Sequence, residues 1–179
     1  MEFEKFKKIP RFNRDVVITE KIDGTNGQIC ITEDGEFLVG SRNRWITPEN
    51  DNAGFARWAY ENKEELMKLG KGHHYGEWWG QGIQRKYGLT EKRFSLFNTS
   101  MWSDDEVRPA CCSVVPVLYE GLLCDEAIEL VTDRLRTFGS VAAEGFMKPE
   151  GIVIFHTAAG QYFKITLEND QIPKGLIKE

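Results

Sequence analysis

The chain has no apolar run approaching the roughly 20 residues of a bilayer-spanning helix. Its N-terminus, Met1-Glu2-Phe3-Glu4-Lys5, has no apolar secretory segment. No membrane partner is therefore expected. Cysteine is scarce: Cys30, Cys111, Cys112 and Cys124 include no C-x-x-C pair, and His73, His74 and His156 do not complete a zinc pattern. Disulfide-scaffold and zinc-module classes are excluded. The adjacent Cys111-Cys112 pair reads as small buried side chains in a reducing compartment, so a cytoplasmic location is expected. Positive charge is also in deficit, with 23 Lys and Arg against 28 Asp and Glu, a net charge of −5. That excludes a protein that coats nucleic acid by charge alone, and leaves room for a local basic cleft. Repeats, low-complexity stretches and linkers are absent, and the composition is neither collagen-like nor disordered. What is present is 179 residues, 41% of them hydrophobic, enough for one core. A single domain over residues 1–179 is expected, with no separate C-terminal domain.

Periodicity places strands at Val16–Lys21, Gln28–Thr32 and Phe37–Gly40, the last two joined by a hairpin at Glu33-Asp34-Gly35-Glu36. Residues 52–69 carry apolar side chains at helical spacing, with Asn52 as cap and Gly70 as stop. Further strands are predicted at His74–Trp79, Phe94–Phe97 and Val114–Tyr119. The last should lie at a sheet edge, because Pro116 has no N–H for a ladder. Asp125–Phe138 reads as a second helix with Asp125 as cap and Gly139 as stop. Ile152–His156 and Tyr162–Leu167 make a final hairpin around Ala158-Ala159-Gly160. The expected class is α+β: antiparallel β-sheets with flanking helices.

The segment with most chemical content is Glu20-Lys21-Ile22-Asp23-Gly24-Thr25-Asn26, in which a lysine ends an apolar strand. It resembles motif I of the covalent nucleotidyltransferases, the polynucleotide ligases and mRNA capping enzymes, and is especially similar to the RNA ligase 2-like branch. Ser41-Arg42-Asn43-Arg44 looks like motif Ia. Tyr75-Gly76-Glu77-Trp78-Trp79-Gly80-Gln81-Gly82-Ile83-Gln84 looks like motif III, with the Gly-x-Gly-Ile-Gln tail typical of RNA ligases. Phe94-Ser95-Leu96-Phe97-Asn98 stands where motif IIIa belongs. Pro149-Glu150-Gly151-Ile152-Val153-Ile154 looks like motif IV, and Tyr162-Phe163-Lys164-Ile165-Thr166-Leu167 like motif V. The six segments occur in the family's order over about residues 15–170. Singly, each of these residues has an ordinary structural reading as core or surface charge; the order and spacing carry the resemblance. Trp78 and Trp79 alternate on a strand, so at most one is expected to face a ligand.

The resemblance implies the ligase adenylation fold and an ATP-dependent RNA ligase. Lys21 would attack the ATP α-phosphate to form lysyl-AMP, AMP would pass to an RNA 5′-phosphate, and a 3′-hydroxyl would then seal the ends. A free lysine amine has a pKa of about 10.4 and needs a neighbouring cation or burial to expose its lone pair. Lys164 is the implied cation and also an α-phosphate ligand. Catalytic roles are thus implied for Lys21, Lys164 and Glu150, with Glu150 also a metal ligand. The implied nucleotide-binding residues are Glu20, Ile22, Arg42, Glu77, Phe97, Glu150 and Lys164, with Phe97 stacking on adenine. Asn26, Arg44, Arg85 and Lys86 are implied contacts to nucleic acid. Gly24 and Gly151 would give backbone freedom near the nucleotide. ATP and Mg²⁺, or Mn²⁺, are the implied cofactors. RNA ends are the implied partners, including nicked duplex, with an accessory protein or domain in trans and a role in RNA repair.

The sequence departs from the family pattern at several points. Asp23 stands where the RNA ligase 2-like branch usually has histidine. Motif V has one clear lysine, Lys164, with Thr166 two positions on. Asn98 replaces a common aspartate, and Phe155-His156 stands where a basic residue usually follows motif IV. Two other readings stay open. One is a non-catalytic module binding nucleotide or RNA ends; the other is an adenylyl- or guanylyltransferase of ligase or capping type acting on a different end.

Overall fold

A computed structural model of the chain describes residues 1–172. Residues 173–179, most of the tail that follows motif V, lie outside the described residues. The first strand, β1 (Asp15–Lys21), alternates: Val16, Ile18 and Glu20 are buried, while Val17, Thr19 and Lys21 are half-buried. A period of two sends these sets to opposite faces of the sheet. The strands β2 (Thr25–Ile31), β3 (Phe37–Gly40), β4 (Gly72–Gly80), β5 (Lys92–Leu96), β6 (Ser113–Val114), β7 (Val117–Leu122), β8 (Gly151–His156) and β9 (Gln161–Thr166) follow in chain order. Among the described residues they form a four-stranded sheet, β7-β1-β8-β9, and a five-stranded sheet, β3-β2-β4-β5-β6. All pairings are antiparallel except β5 with β6.

Each sheet buries one face under helices. Short helices α1 (Phe55–Glu61) and α2 (Lys63–Leu66) join Ile29, Phe37, Trp78 and Phe94 in the core of the five-stranded sheet. After the single turn α3 (Thr99–Trp102), the long helix α4 (Asp125–Phe138) packs Val131 and Leu135 on Val16, Ile18, Ile152 and Ile154. The two remaining faces look at each other across a cavity of about 1040 Å³. Val17, Thr19, Lys21, Val153 and Phe155 line it from one sheet, and Asn26, Gln28, Tyr75 and Glu77 from the other. At one end Ile22, Trp79, Tyr87, Val115 and Ala143 close the space with an apolar plug.

Two elements differ from the sequence reading. The helix expected over residues 52–69 breaks at Asn62, whose backbone leaves helical geometry at φ −105°, ψ 19°. Asn52 is not its cap: its Nδ2 donates to Thr25 Oγ1 at 2.9 Å. Asp51 does the capping instead, its two carboxylate oxygens accepting the Ala56 and Arg57 N–H groups at 2.7 and 3.1 Å. Likewise Asp125 opens α4 from inside the helix, with Cys124 at the cap. The strand expected at 114–119 is split at Val115-Pro116 into β6 and β7, each at an edge but of different sheets. Pro116 thus sits at a sheet-to-sheet crossing. The other crossing is Ile22-Asp23-Gly24, between β1 and β2. The two lie side by side, since the Glu20 N–H donates to the Pro116 carbonyl at 3.0 Å.

Candidate active site

Lys21 is the last residue of β1, paired in register with Gly151 at the start of β8. That pairing brings Glu150 alongside, and Lys21 Nζ donates to Glu150 Oε2 at 2.6 Å. Glu77, on the facing sheet, is held by the motif I turn itself. Its Oε1 accepts the Gly24 N–H and its Oε2 accepts Asn26 Nδ2, both at 3.0 Å. Burial pushes the Glu77 carboxyl up to about 7; the Lys21 charge and the Gly24 N–H pull it down, and the Glu150 and Asp23 charges push it further up. The lysine therefore faces one carboxylate directly and a second that titrates near neutrality. Asn26, implied as a contact to nucleic acid, is the residue that donates to Glu77 in this structure.

The turn after Lys21 is clamped by the segment that follows β4. Asp23 N–H donates to the Tyr87 hydroxyl at 2.8 Å, and Arg85 Nε donates to Asp23 Oδ2 at 3.0 Å. A second Arg85 nitrogen donates to the Lys148 carbonyl at 2.9 Å, two residues before Glu150. One guanidinium thus ties the Lys21 turn to the Glu150 segment. Burial raises the Tyr87 hydroxyl above its ordinary range, which keeps it neutral. Gln84, Lys86 and Tyr87 adopt left-handed φ of 43°, 61° and 51°, an arrangement that costs energy for non-glycine residues. Arg85, read from sequence as a nucleic-acid contact, is placed as a brace of motif I. Lys86 beside it is exposed. Arg44 is bonded to the Asn50 and Asp51 carbonyls at 3.2 and 3.4 Å and steadies its own loop.

Several other expected residues line the cavity, among them Arg42, Phe97 and Ile22. Phe97 follows β5, tied by its N–H to the Tyr75 carbonyl at 2.9 Å. Asn98 caps α3, its side chain accepting the Met101 N–H. Glu20 borders the cavity too, but its carboxylate is turned to the other side of the sheet. There Ser140 Oγ donates to Oε1 at 2.6 Å, and the Val141 and Ala142 N–H groups donate to Oε2 at 2.8 and 2.9 Å. Burial raises its pKa against those three donors. The Glu20 side chain is thus a fastening for the loop after α4. Lys164 is exposed on β9 and pairs with Val153, which pairs with Thr19. Antiparallel partners share a face, so Lys164 stands on the cavity side, one row back from Lys21 and roughly 12 Å from it between Cα atoms. Across Gly151 from Lys21 stands Thr166.

Trp78 and Trp79 are both core, at 2% and 1% exposure, in different clusters. Gly24 and Gly151 are glycines for want of space, since neither has positive φ. A Cβ on Gly24 would lie 2.4 Å from the Trp78 carbonyl, and one on Gly151 would lie 2.0 Å from that of Ile165. The braces Tyr87 and Asp51 were not singled out from sequence; the only signal for Tyr87 was its place just past the Gly-Ile-Gln tail.

Among the described residues no three His, Cys, Asp or Glu side chains are grouped to cage a metal ion. Glu150, with Glu77 nearby, offers the one or two carboxylates that suffice for a hard divalent ion held chiefly by substrate phosphates. The site therefore fits such an ion arriving with a nucleotide.

A family model described as RNA ligase matches residues 14–166. Solved structures of Naegleria gruberi RNA ligase are similar to this chain. A lysine-to-alanine mutant with ATP and Mn aligns with TM-score 0.65 and 21% identity, covering 89% of this chain and 52% of that one. A lysine-to-methionine mutant with AMP and Mn aligns with TM-score 0.64 and 21% identity, covering 87% and 50%. The ligase with PPi aligns with TM-score 0.60 and 22% identity, covering 86% and 50%. This likeness establishes the fold, and the chain spans about half the length of those structures. No curated protein matches the sequence.

Proposed function

This chain belongs to the RNA ligase family, and from that premise we propose that it is an ATP-dependent RNA ligase-type nucleotidyltransferase with Lys21 as nucleophile. The observation that carries the reading is the placement of Lys21 at the end of its strand, inside the cavity, between Glu150 and Glu77. Attack on the ATP α-phosphorus forms the Nζ–P bond and breaks the bond to the β-phosphate oxygen, releasing pyrophosphate. The attacking amine must be neutral, so the Lys21–Glu150 ion pair has to open and the ammonium proton leave before the bond forms. AMP then passes to an RNA 5′-phosphate, and a 3′-hydroxyl displaces it. Arg42 and Lys164 supply positive charge on the cavity side for phosphate, and Phe97 supplies a face for the base. A bound Mg²⁺ or Mn²⁺, held by Glu150 and the phosphates, would neutralise the departing pyrophosphate. In this reading RNA ends are the partners, those of a nicked duplex among them, and the task is RNA repair in the cytoplasm.

Incubation with α-labelled ATP and a divalent metal tests the first step. Label is expected to survive denaturation on wild-type protein and to be absent from Lys21→Ala. A wild-type protein that neither takes up label across several pH values and metals nor carries AMP when purified would sink the proposal. It would favour the second reading, a nucleotide- or RNA-end-binding module, which draws on Thr166 standing across from Lys21 where a second motif V lysine would be expected. Competition between ATP and GTP separates the ligase from a capping-type transferase.

A further inference from the structure

The first 14 residues differ in charge from the rest of the protein. They hold five basic side chains, Lys5, Lys7, Lys8, Arg11 and Arg14, against two acidic ones, so the other 165 residues hold the remaining 18 basic and 26 acidic ones. Through Arg11 the segment forms no helix or strand. Its large apolar side chains face solvent, with Phe3 92%, Phe6 81%, Ile9 76% and Phe12 74% exposed. Exposed aromatics interleaved with lysines do not serve a core.

The arm's root lies at one end of the cavity. His156 Nδ1 accepts the Ala159 N–H, so its Nε2 carries the proton and donates to the Phe12 carbonyl at 2.6 Å. The Thr157 N–H and hydroxyl both donate to the Asp15 carbonyl, at 3.1 and 2.6 Å. Thr157, Val17, Phe155 and Tyr162 all line the cavity. Val17 is four residues from Lys21 along β1, about 13 Å at strand rise. At this end Phe155 and Tyr162 are cross-strand partners whose rings lie 4.7 Å apart at 37°. Tyr162 is 62% exposed, and Phe155 beside it lines the cavity.

Building on the ligase reading above, we propose that residues 1–12 and the Phe155–Tyr162 pair form a binding site for single-stranded RNA at the cavity end opposite Lys21. The arm's lysines and Arg11 neutralise phosphates, and Tyr162 offers a base a stacking face. A strand gripped there is directed along the cavity toward Lys21.

The test is a titration of the full chain with a labelled single-stranded RNA oligonucleotide at several salt concentrations. It is run beside the Lys21 labelling assay. Replacing Lys5, Lys7, Lys8 and Arg11 together by alanine should reduce the salt slope of log K by about 3, at roughly 0.7 per phosphate contact. Labelling of Lys21 should stay within about twofold of wild type. Tyr162→Ala should weaken RNA binding by roughly 5- to 100-fold, the range for one lost base stack, with Tyr162→Phe restoring it. Wild-type affinity and salt slope in the fourfold variant would overturn the proposal while leaving the ligase reading intact. So would self-association abolished by Phe3→Ala with Phe6→Ala at unchanged RNA affinity, which would make the arm a protein interface. A wild-type protein that does not label fails the ligase reading separately, and the RNA titration still decides the arm.

Discussion

Glu77 concentrates the site's electrostatics in one side chain. Buried, with its carboxyl raised to about 7, it holds a proton in the fold that the unfolded chain has already released over the range from about 4.5 to 7. The folded state is therefore favoured at the acid end of that window, and this contribution is lost as pH rises through about 7. Glu77→Gln removes the titration. Relative to that variant, wild type should lose on the order of 3 kcal/mol of stability between pH 4.5 and 8, read by denaturant unfolding across pH. A constant difference between the two would contradict it. Glu20 is raised as well, so the difference between the proteins, rather than the wild-type profile, is the informative quantity. Lys21, Glu77 and Glu150 were legible in the sequence because Lys21 ends one strand, Glu77 lies within another and Glu150 precedes a third, in the expected order. Their bonding was not. Lys21–Glu150, Asn26–Glu77 and Asp23–Arg85 join residues 129, 51 and 62 apart, and such pairs depend on sheet register that no local pattern contains. Alternation along β1 likewise turns the Glu20 carboxylate to the α4 side, while the residue itself borders the cavity.

At the level of elements, the strands were read within a few residues because alternation is a local property, and the helix over 52–69 was misread because apolar spacing continues across a break. Asn62 ends α1, and its amide donates back to the Trp58 carbonyl at 2.8 Å, so the helical periodicity survives while the helix does not. The start of α1 depends on Asp51, which accepts from three backbone N–H groups, those of Asn52, Ala56 and Arg57. Asp51→Ala should cost about 1–2 kcal/mol, measured as a shift in the denaturation midpoint, whereas Asn52→Ala should cost less. The opposite ranking would restore Asn52 as the cap. Pro116 was correctly taken as incompatible with a ladder interior. Its consequence, a strand divided between two sheets, required knowing that two sheets exist.

For the whole molecule, the α+β class was legible from the alternation of short strands with two helical stretches, whereas the facing of the two sheets depends on strand order that no local pattern contains. Charge matters here as well. On the proposed reading, a chain of net −5 would hold RNA through a few local contacts, so its grip would be screened readily. Lysyl-AMP formation needs no long-range steering of a polymer. Raising salt from low to physiological strength should therefore depress joining of RNA ends by tenfold or more while changing Lys21 labelling by less than about threefold. Parallel decline of the two steps would place the salt effect in the nucleotide site. The two chain crossings, at Ile22-Asp23-Gly24 and Val115-Pro116, have a mechanical reading. Among the described residues they are the places where backbone passes between sheets, and they lie together beside Lys21 under the Ile22–Trp79–Tyr87–Val115 plug. Two leaves sewn along one edge turn about the seam. Displacement is least at the seam and grows with distance, so Lys21 and Glu150 sit near the pivot, where their spacing is protected. Val17, Phe155 and Tyr162 lie farther from the seam, where a rotation about it would open a wider gap.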